Sequence, residues 1–186
     1  MMINKPRCFL DLLELQRILD ENIEKNRKNG FVPRKRSLLD ILLAIDDEFQ
    51  ECLRELPYEY NFKTWKQKEY SREKELEELT DVLFFFLQYF NRYFIDVDNY
   101  KNNFCRDFFE RNYYDEIDQE LYSVIMDFKY DLWNRNDLTT FYDYMKIVYK
   151  RGFTRQDLLE TYWEKWQKNI TRINKDWVIQ EWKSFY

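Results

Sequence analysis

The stretch that decides the fold reads Glu75-Leu-Glu-Glu-Leu-Thr-Asp-Val-Leu-Phe-Phe-Phe86. It joins an acidic segment to an apolar run, and its period predicts the middle of a helix from Arg72 to about Phe94. Glu78 and Asp81 are three residues apart, so they project from one side of that helix, at the border of its apolar face. This placement makes the two acids candidates for a shared site.

A second acidic pair lies upstream, where Leu42-Leu-Ala-Ile45 precedes Glu48 and Glu51. Ser37-Leu-Leu-Asp40 resembles a capping box, which predicts a helix from about Leu38 to Leu56, ending before Pro57. If the two helices pack antiparallel, four carboxylates converge in a semi-buried space. Such a cluster repels itself unless a cation neutralises it, and oxygen ligands suit Mg²⁺ or Mn²⁺. The spacing alone leaves a second interpretation open, namely ordinary exposed acids on amphipathic helices.

The remainder of the chain also has a helical period. We predict further helices in four segments: Phe9 to Lys25 (with Gly30 as a cap after it), Phe104 to Trp133, Leu138 to Tyr149, and a last one after the capping box Thr154-Arg-Gln-Asp157, ending near Ile173. Residues 96–103 are predicted to be a loop, and Asn134-Arg-Asn-Asp137 a break. Two glycines and three prolines leave few tight turns, which argues against a sandwich or barrel. We therefore predict an all-α bundle of antiparallel helices around the acidic site, in one domain over residues 1–186.

Composition excludes several classes of function. The 186 residues contain no histidine, so Ser-His-Asp catalysis and HExxH zinc sites are excluded, and two glycines cannot form a P-loop or a GxGxxG turn. Cys8, Cys52 and Cys105 are odd in number and widely spaced, which favours inert thiols in a reducing cytoplasm. The net charge of −5 disfavours nucleic acid as a partner. The apolar run Val82–Leu87 is too short to span a membrane, and the charged start of the chain does not resemble a secretory signal.

The last predicted helix carries a basic complement to the acids. Lys165, Asn169 and Arg172 are spaced i, i+4, i+7 and therefore form one stripe. An amine, an amide and a guanidinium on one face suit phosphate oxygens, and arginine can bind them in bidentate fashion. A solvated polar face remains the alternative interpretation of the stripe.

Three segments together resemble a known family: Leu42–Glu51, Phe62-Lys-Thr-Trp65 and Glu75–Leu83. They are similar to the dimeric all-α dUTPases, members of the all-α nucleotide pyrophosphohydrolases, whose mark is ExxE, a spacer and ExxD. Leu13–Asp20 and Tyr162–Arg172 favour this branch over the related MazG branch. Residues of about 95–150 align with nothing in the family, and we interpret them as a variable insert or cap.

The resemblance implies Mg²⁺-dependent hydrolysis of dUTP, with dUDP as a further substrate, to dUMP by a metal-activated water. It implies that at least two Mg²⁺ ions (or Mn²⁺) are held by Glu48, Glu51, Glu78 and Asp81, and that Glu48 also orients or deprotonates the water. It implies that the phosphates are bound by Lys165, Asn169 and Arg172. The base and sugar would be contacted by Gln16, Asp20, Trp65 and Phe84. It also implies a homodimer, which agrees with an aromatic content of 20%.

Two alternatives stay open at this point. The first is a MazG-like or dCTPase-type pyrophosphohydrolase with another base preference. The second is a helical interaction module, in which the aromatic-rich stretch Phe104–Tyr149 binds a protein such as the repressor of a mobile genetic element. The Asn-, Lys- and Tyr-rich composition hints at a phage or Firmicute source, with the host cytoplasm as location.

Overall fold

The computed structural model describes residues 4–25, 35–66, 68–93, 100–111 and 119–175. Over these ranges the chain forms seven helices and no strand, which confirms the all-α fold class. The helices are α1 (Phe9–Lys25), α2 (Leu38–Glu55), α3 (Arg72–Tyr93), α4 (Tyr100–Glu110), α5 (Leu121–Asn134), α6 (Asp137–Lys150) and α7 (Arg155–Lys175). In the same ranges, no helix combines the length and the apolar character needed to cross a membrane.

Side-chain caps fix where α2 and α7 begin. The Asp40 N–H donates to the Ser37 hydroxyl at 3.3 Å, and the Ser37 N–H donates to the Asp40 carboxylate at 2.7 Å. Thr154 and Asp157 make the same reciprocal pair, at 3.1 and 2.7 Å. Both predicted capping boxes are confirmed, because each satisfies amides that the first helical turn leaves free. The predicted cap at Gly30 lies outside the described residues.

The middle of the chain differs from the prediction in two places. Residues 100–103, predicted to be loop, already belong to α4, and the predicted segment Phe104–Trp133 covers most of two separate helices, α4 and α5. Cys105 and Phe109 are fully buried. Tertiary packing of these two side chains stabilises a helix whose polar first turn has little helix preference of its own.

The predicted break between α5 and α6 is confirmed, and it depends on an arginine. Arg135 adopts a left-handed conformation with φ 58° and ψ 38°, a region that non-glycine residues rarely enter. Its N–H reaches the Leu132 carbonyl at 3.2 Å, and the next N–H, of Asn136, reaches the Asp131 carbonyl at 2.9 Å. These bonds satisfy the last carbonyls of α5 and let α6 turn back along it.

Phenylalanine rings form the centre of the core. Phe90 of α3 lies 6.0 Å from Phe9 of α1 and 5.1 Å from Phe141 of α6, measured between ring centroids. Phe86 lies 5.3 Å from Phe141, edge to face. All four rings are buried, so these aromatics pack between helices as predicted, whereas Tyr122, Tyr130 and Trp133 of α5 are exposed.

Helix α7 packs against both α1, near the start of the chain, and α3. The buried Trp166 Nε1–H donates to the Leu15 carbonyl of α1 at 2.7 Å, and the buried Tyr162 hydroxyl donates to Gln16 Oε1 at 2.9 Å. These two anchors stand on either side of Lys165. They therefore fix the position of the Lys165 backbone relative to the rest of the fold.

Candidate active site

Three carboxylates from α2 and α3 come together in a cleft. Glu48, Glu78 and Asp81 each offer one oxygen, and these oxygens lie within 4.8 Å of one another. All three side chains are half-buried. The i, i+3 spacing places Glu78 and Asp81 on one side of α3, and α2 packs along that side. Glu51, one turn after Glu48, is exposed and lies outside this group of three.

Burial, together with the charges of the neighbouring acids, raises the pKa of all three carboxylates. Burial, followed by the charges of Asp81, Glu51 and Glu78, raises the pKa of Glu48 to about 7. Burial and the charge of Asp81 raise the pKa of Glu78. Burial also raises the pKa of Asp81, although Lys165 opposes that increase. The cleft is therefore a concentration of negative charge in a place that water screens poorly.

Lys165 is the predicted phosphate-binding residue that the structure places at the carboxylates. Its Nζ forms an ion pair with Asp81 and donates to the Glu77 carbonyl at 3.1 Å. Asn169, one turn later, is half-buried. Arg172 is exposed and lines an open groove on the side of α7 that carries Gln167 and Lys168.

Three of the four predicted base and sugar residues lie near one another. Gln16 is 3% exposed, and its Nε2 donates to Asp20 at 2.9 Å while its Oε1 accepts from Tyr162. Phe84 stacks on Tyr162 with ring centroids 4.1 Å apart. Trp65 is 72% exposed in the connector between α2 and α3.

Gln88 was missed by the sequence analysis, although it joins this buried polar group. Its Nε2 donates to Asp20 at 2.8 Å and its Oε1 accepts from Arg36 at 2.8 Å. Its position offered a signal, because a glutamine between the apolar run of α3 and Tyr89 must find polar partners when that part of the helix is buried.

Glu75 is a second residue that the sequence analysis left aside. It is fully buried, and its carboxylate pairs with Arg151, which follows α6, and accepts from the Tyr70 hydroxyl at 2.7 Å. In return, Arg72 donates to the Gly152 carbonyl at 2.6 Å. The α6–α7 turn is thus fastened to the first turn of α3, just before the residues of the cleft.

The donor set of the cleft fits a hard divalent cation. All the candidate ligand atoms are carboxylate oxygens, which is the chemistry that Mg²⁺ and Mn²⁺ prefer. Burial and the neighbouring acids raise the pKa of Glu48, and a bound positive charge would favour its ionised form. The ammonium of Lys165 already stands next to Asp81 as such a charge.

Comparison with protein families gives a match that covers most of the chain. A protein-family model described as dUTPase matches residues 9–177, which include all seven helices and every candidate site residue named above. A comparison with curated proteins found no match.

Proposed function

The chain belongs to the dUTPase family and is a dUTP diphosphatase, and we propose that its hydrolysis of dUTP to dUMP and pyrophosphate depends on Mg²⁺. Glu48, Glu51, Glu78 and Asp81 would hold two or more ions, with Mn²⁺ able to replace Mg²⁺. The observation that carries the proposal is the convergence of three carboxylates and one lysine from α2, α3 and α7. Bound metal would neutralise phosphate charge and acidify a water molecule.

The residues of the cleft would have different roles in the reaction. Glu48 is the member of the group of three that α2 contributes, facing the α3 pair, and it would orient or deprotonate the attacking water. Lys165 would bind the triphosphate, since its ammonium already lies at the carboxylates. Asn169 and Arg172 follow on the same helix and would complete the clamp, for which the exposed Arg172 side chain must turn toward the cleft.

The base would be read by Gln16. Tyr162 and Asp20 use one acceptor position and one hydrogen of its amide, which leaves one of each for a uracil edge. Gln16 is 3% exposed, so the side chains around it must open for the base to reach it. Asp20 and Phe84 lie close by, and Trp65 would approach from the connector. A site that hydrogen-bonds uracil rejects cytosine, because the exchanged donor and acceptor leave buried groups unpaired.

A substrate panel with paired variants tests the proposal. With Mg²⁺, we expect dUTP to be preferred over dCTP, dTTP and dATP, and dUDP to be hydrolysed as well. Glu48→Gln and Asp81→Asn should each lower kcat/KM roughly a hundredfold or more, because metal-based stabilisation is worth several kcal/mol. Asp47→Asn is the matched control, since Asp47 is exposed on the same helix. Full turnover in excess chelator, or wild-type kinetics in both variants, would contradict the metal site.

We further propose that the chain forms a homodimer through α5. Tyr122, Met126, Tyr130 and Trp133 are each more than half exposed, at i, i+4, i+8 and i+11 on one side of the helix. Leu39 of α2 is also exposed and shares a groove with Trp133. Side chains of this size present roughly 500–700 Å² together, close to the ~800 Å² per partner of a stable interface.

Light scattering tests the dimer. The 23.7 kDa chain should give about twice that mass at micromolar concentration. Met126→Glu should give the monomer mass, because it places a charge in the interface. Leu10→Glu, at an exposed apolar position of α1, should leave the dimer intact. A monomeric wild-type chain would instead favour a foreign partner for this surface, such as a mobile-element repressor if a phage encodes the chain.

We also propose that residues 1–186 form one domain in the cytoplasm. Residues of about 95–150, which the sequence predicts to be an insert or cap, contribute Phe141 to the centre of the core and lie within the family match. Buried side chains from all seven helices belong to one continuous core, which supports a single domain. Cys52 and Cys105 are buried, which suits inert thiols in a reducing compartment.

A further inference from the structure

Lys165 is a cation of the protein itself, held within the carboxylate cleft. Its ammonium pairs with Asp81 and donates to the Glu77 carbonyl at 3.1 Å, so both contacts fall on α3. The side chain is 19% exposed. Two of its three ammonium hydrogens are thereby used, and the lysine bridges α7 to the acids and does not extend into solvent.

Asp81 therefore has two competing roles. It is one of the three carboxylates whose oxygens lie within 4.8 Å of one another, and it is also the partner of Lys165. A positive charge at Asp81 occupies a ligand oxygen and repels a second cation, and partial burial strengthens both effects. Lys165 and a divalent cation thus oppose each other at the same carboxylate.

The structure lets the Lys165 side chain move while its backbone stays fixed. Tyr162 and Trp166, on either side, are buried and hydrogen-bonded to α1. Lysine carries its charge on a flexible four-carbon stem with three rotatable hydrogens. The ammonium can therefore change partners without any movement of α7.

We propose that Lys165 exchanges Asp81 for the triphosphate when metal and nucleotide bind. Its ammonium neutralises Asp81 until a divalent cation takes that carboxylate, and the released charge then pairs with phosphate oxygens. The inference rests on the proposed function, since it assumes metal at Asp81 and phosphate near Lys165. Its consequence is that metal alone binds weakly, and that metal and nucleotide each tighten the binding of the other by the same factor.

Calorimetric titration with Mn²⁺ in the absence of nucleotide tests the first half of the exchange. Lys165→Met should bind Mn²⁺ about tenfold more tightly than the wild type, because one positive charge has left the cleft. Lys168→Met is the matched control. It removes the same charge from the same helix, but Lys168 is exposed. Its Mn²⁺ affinity should stay within about twofold of the wild type.

Nucleotide affinity tests the second half. The dissociation constant of the non-hydrolysable α,β-imido analogue of dUTP is measured in chelator and again at saturating Mn²⁺. The ratio of the two constants is the coupling between metal and nucleotide. It should be about tenfold smaller in Lys165→Met than in the wild type, and unchanged in Lys168→Met. Lys165→Gln repeats the test with a polar side chain, and circular dichroism verifies the fold of each variant.

The outcomes separate the exchange from the proposed function. Equal or weaker Mn²⁺ binding by Lys165→Met and Lys165→Gln would overturn the exchange, because Lys165 would then be orienting Asp81 for the metal. If the wild type still hydrolysed dUTP with Mn²⁺ in that case, the proposed function would stand. A wild-type chain that binds no Mn²⁺, with or without nucleotide, would refute both.

Discussion

At the scale of single residues, Glu48 links the cleft to the pH dependence of stability. Its pKa rises from 4.5 to about 7 on folding, so between these values the folded chain binds more protons than the unfolded chain. The free energy of unfolding therefore falls as the pH rises through this window, and the loss is complete above pH 7.

We expect Glu48→Gln to be more stable than the wild type above pH 7 in chelator, and equal to it below pH 4.5. Glu48 is half-buried, so solvent screening reduces the expected gain to about 1–2 kcal/mol. Urea unfolding at several pH values measures it, with Asp47→Asn as the control for an exposed acid. A destabilised Glu48→Gln at pH 8 would mean that the carboxylate is stabilised in the folded state.

For Glu75 we predict the opposite effect, a loss of stability on substitution. It is fully buried against Arg151, so Glu75→Ala leaves an unpaired guanidinium in the interior and should cost about 3–5 kcal/mol of unfolding free energy. Glu73→Ala, at an exposed position in the same first turn of α3, should change stability by less than about 0.5 kcal/mol. Chemical denaturation of the two variants compares them directly. Equal effects would place the pair among weak surface ion pairs.

Glu75 also shows what sequence could and could not provide at this scale. Glu48, Glu78 and Asp81 were found because their spacing and their apolar neighbours predict convergence, and the structure brings them together. Glu75 lies in the same acidic stretch, yet its partner Arg151 is 76 residues away. A long-range ion pair has no local pattern, so only the fold identifies it.

At the scale of elements, capping chemistry explains why helix starts were predictable. The Ser37 and Thr154 boxes are local, so the residues that form them stand together in the sequence. The boundary of α4 was missed for the opposite reason. Its stability comes from Cys105 and Phe109 packing into a core made by distant helices, and its first turn carries no cap signal.

The cap of α2 can be tested without touching the cleft. Ser37→Ala removes the hydroxyl that accepts from the Asp40 N–H, and should cost about 1 kcal/mol of unfolding free energy. Ser123→Ala is the control, because Ser123 is exposed inside α5, where alanine favours the helix. Thermal and urea unfolding should agree on this order. A Ser37→Ala chain as stable as the wild type would show that tertiary packing alone fixes the start of α2.

At the scale of the whole molecule, the cleft is assembled from distant parts of the chain. Lys165 and Asp81 are 84 residues apart, and Tyr162 and Gln16 are 146 residues apart. The sequence predicts the acids and the basic stripe separately. The packing of α7 against α1 and α3 brings Lys165 of that stripe to the acids. The exposed aromatic stripe of α5 could not be predicted in the same way. Exposed and buried aromatic residues both recur with a helical period, so the sequence does not distinguish this surface from the core.

Arg172 tests whether α7 serves the cleft along its whole length. Lys165 contacts the acids, but Arg172, two turns later, is exposed. If it turns in to bind phosphate, Arg172→Ala loses charge-assisted hydrogen bonds worth roughly 1.5–3 kcal/mol each, which lowers kcat/KM by about tenfold to a few hundredfold. The free energy of unfolding should hardly change, because the side chain has no place in the core. Lys168→Ala removes a neighbouring exposed charge and should leave both quantities near wild type. Steady-state kinetics with dUTP measure the change in kcat/KM, and parallel urea unfolding measures the change in stability. Unaltered kinetics in Arg172→Ala would restrict the phosphate clamp to the first part of α7, with Lys165 as its anchor.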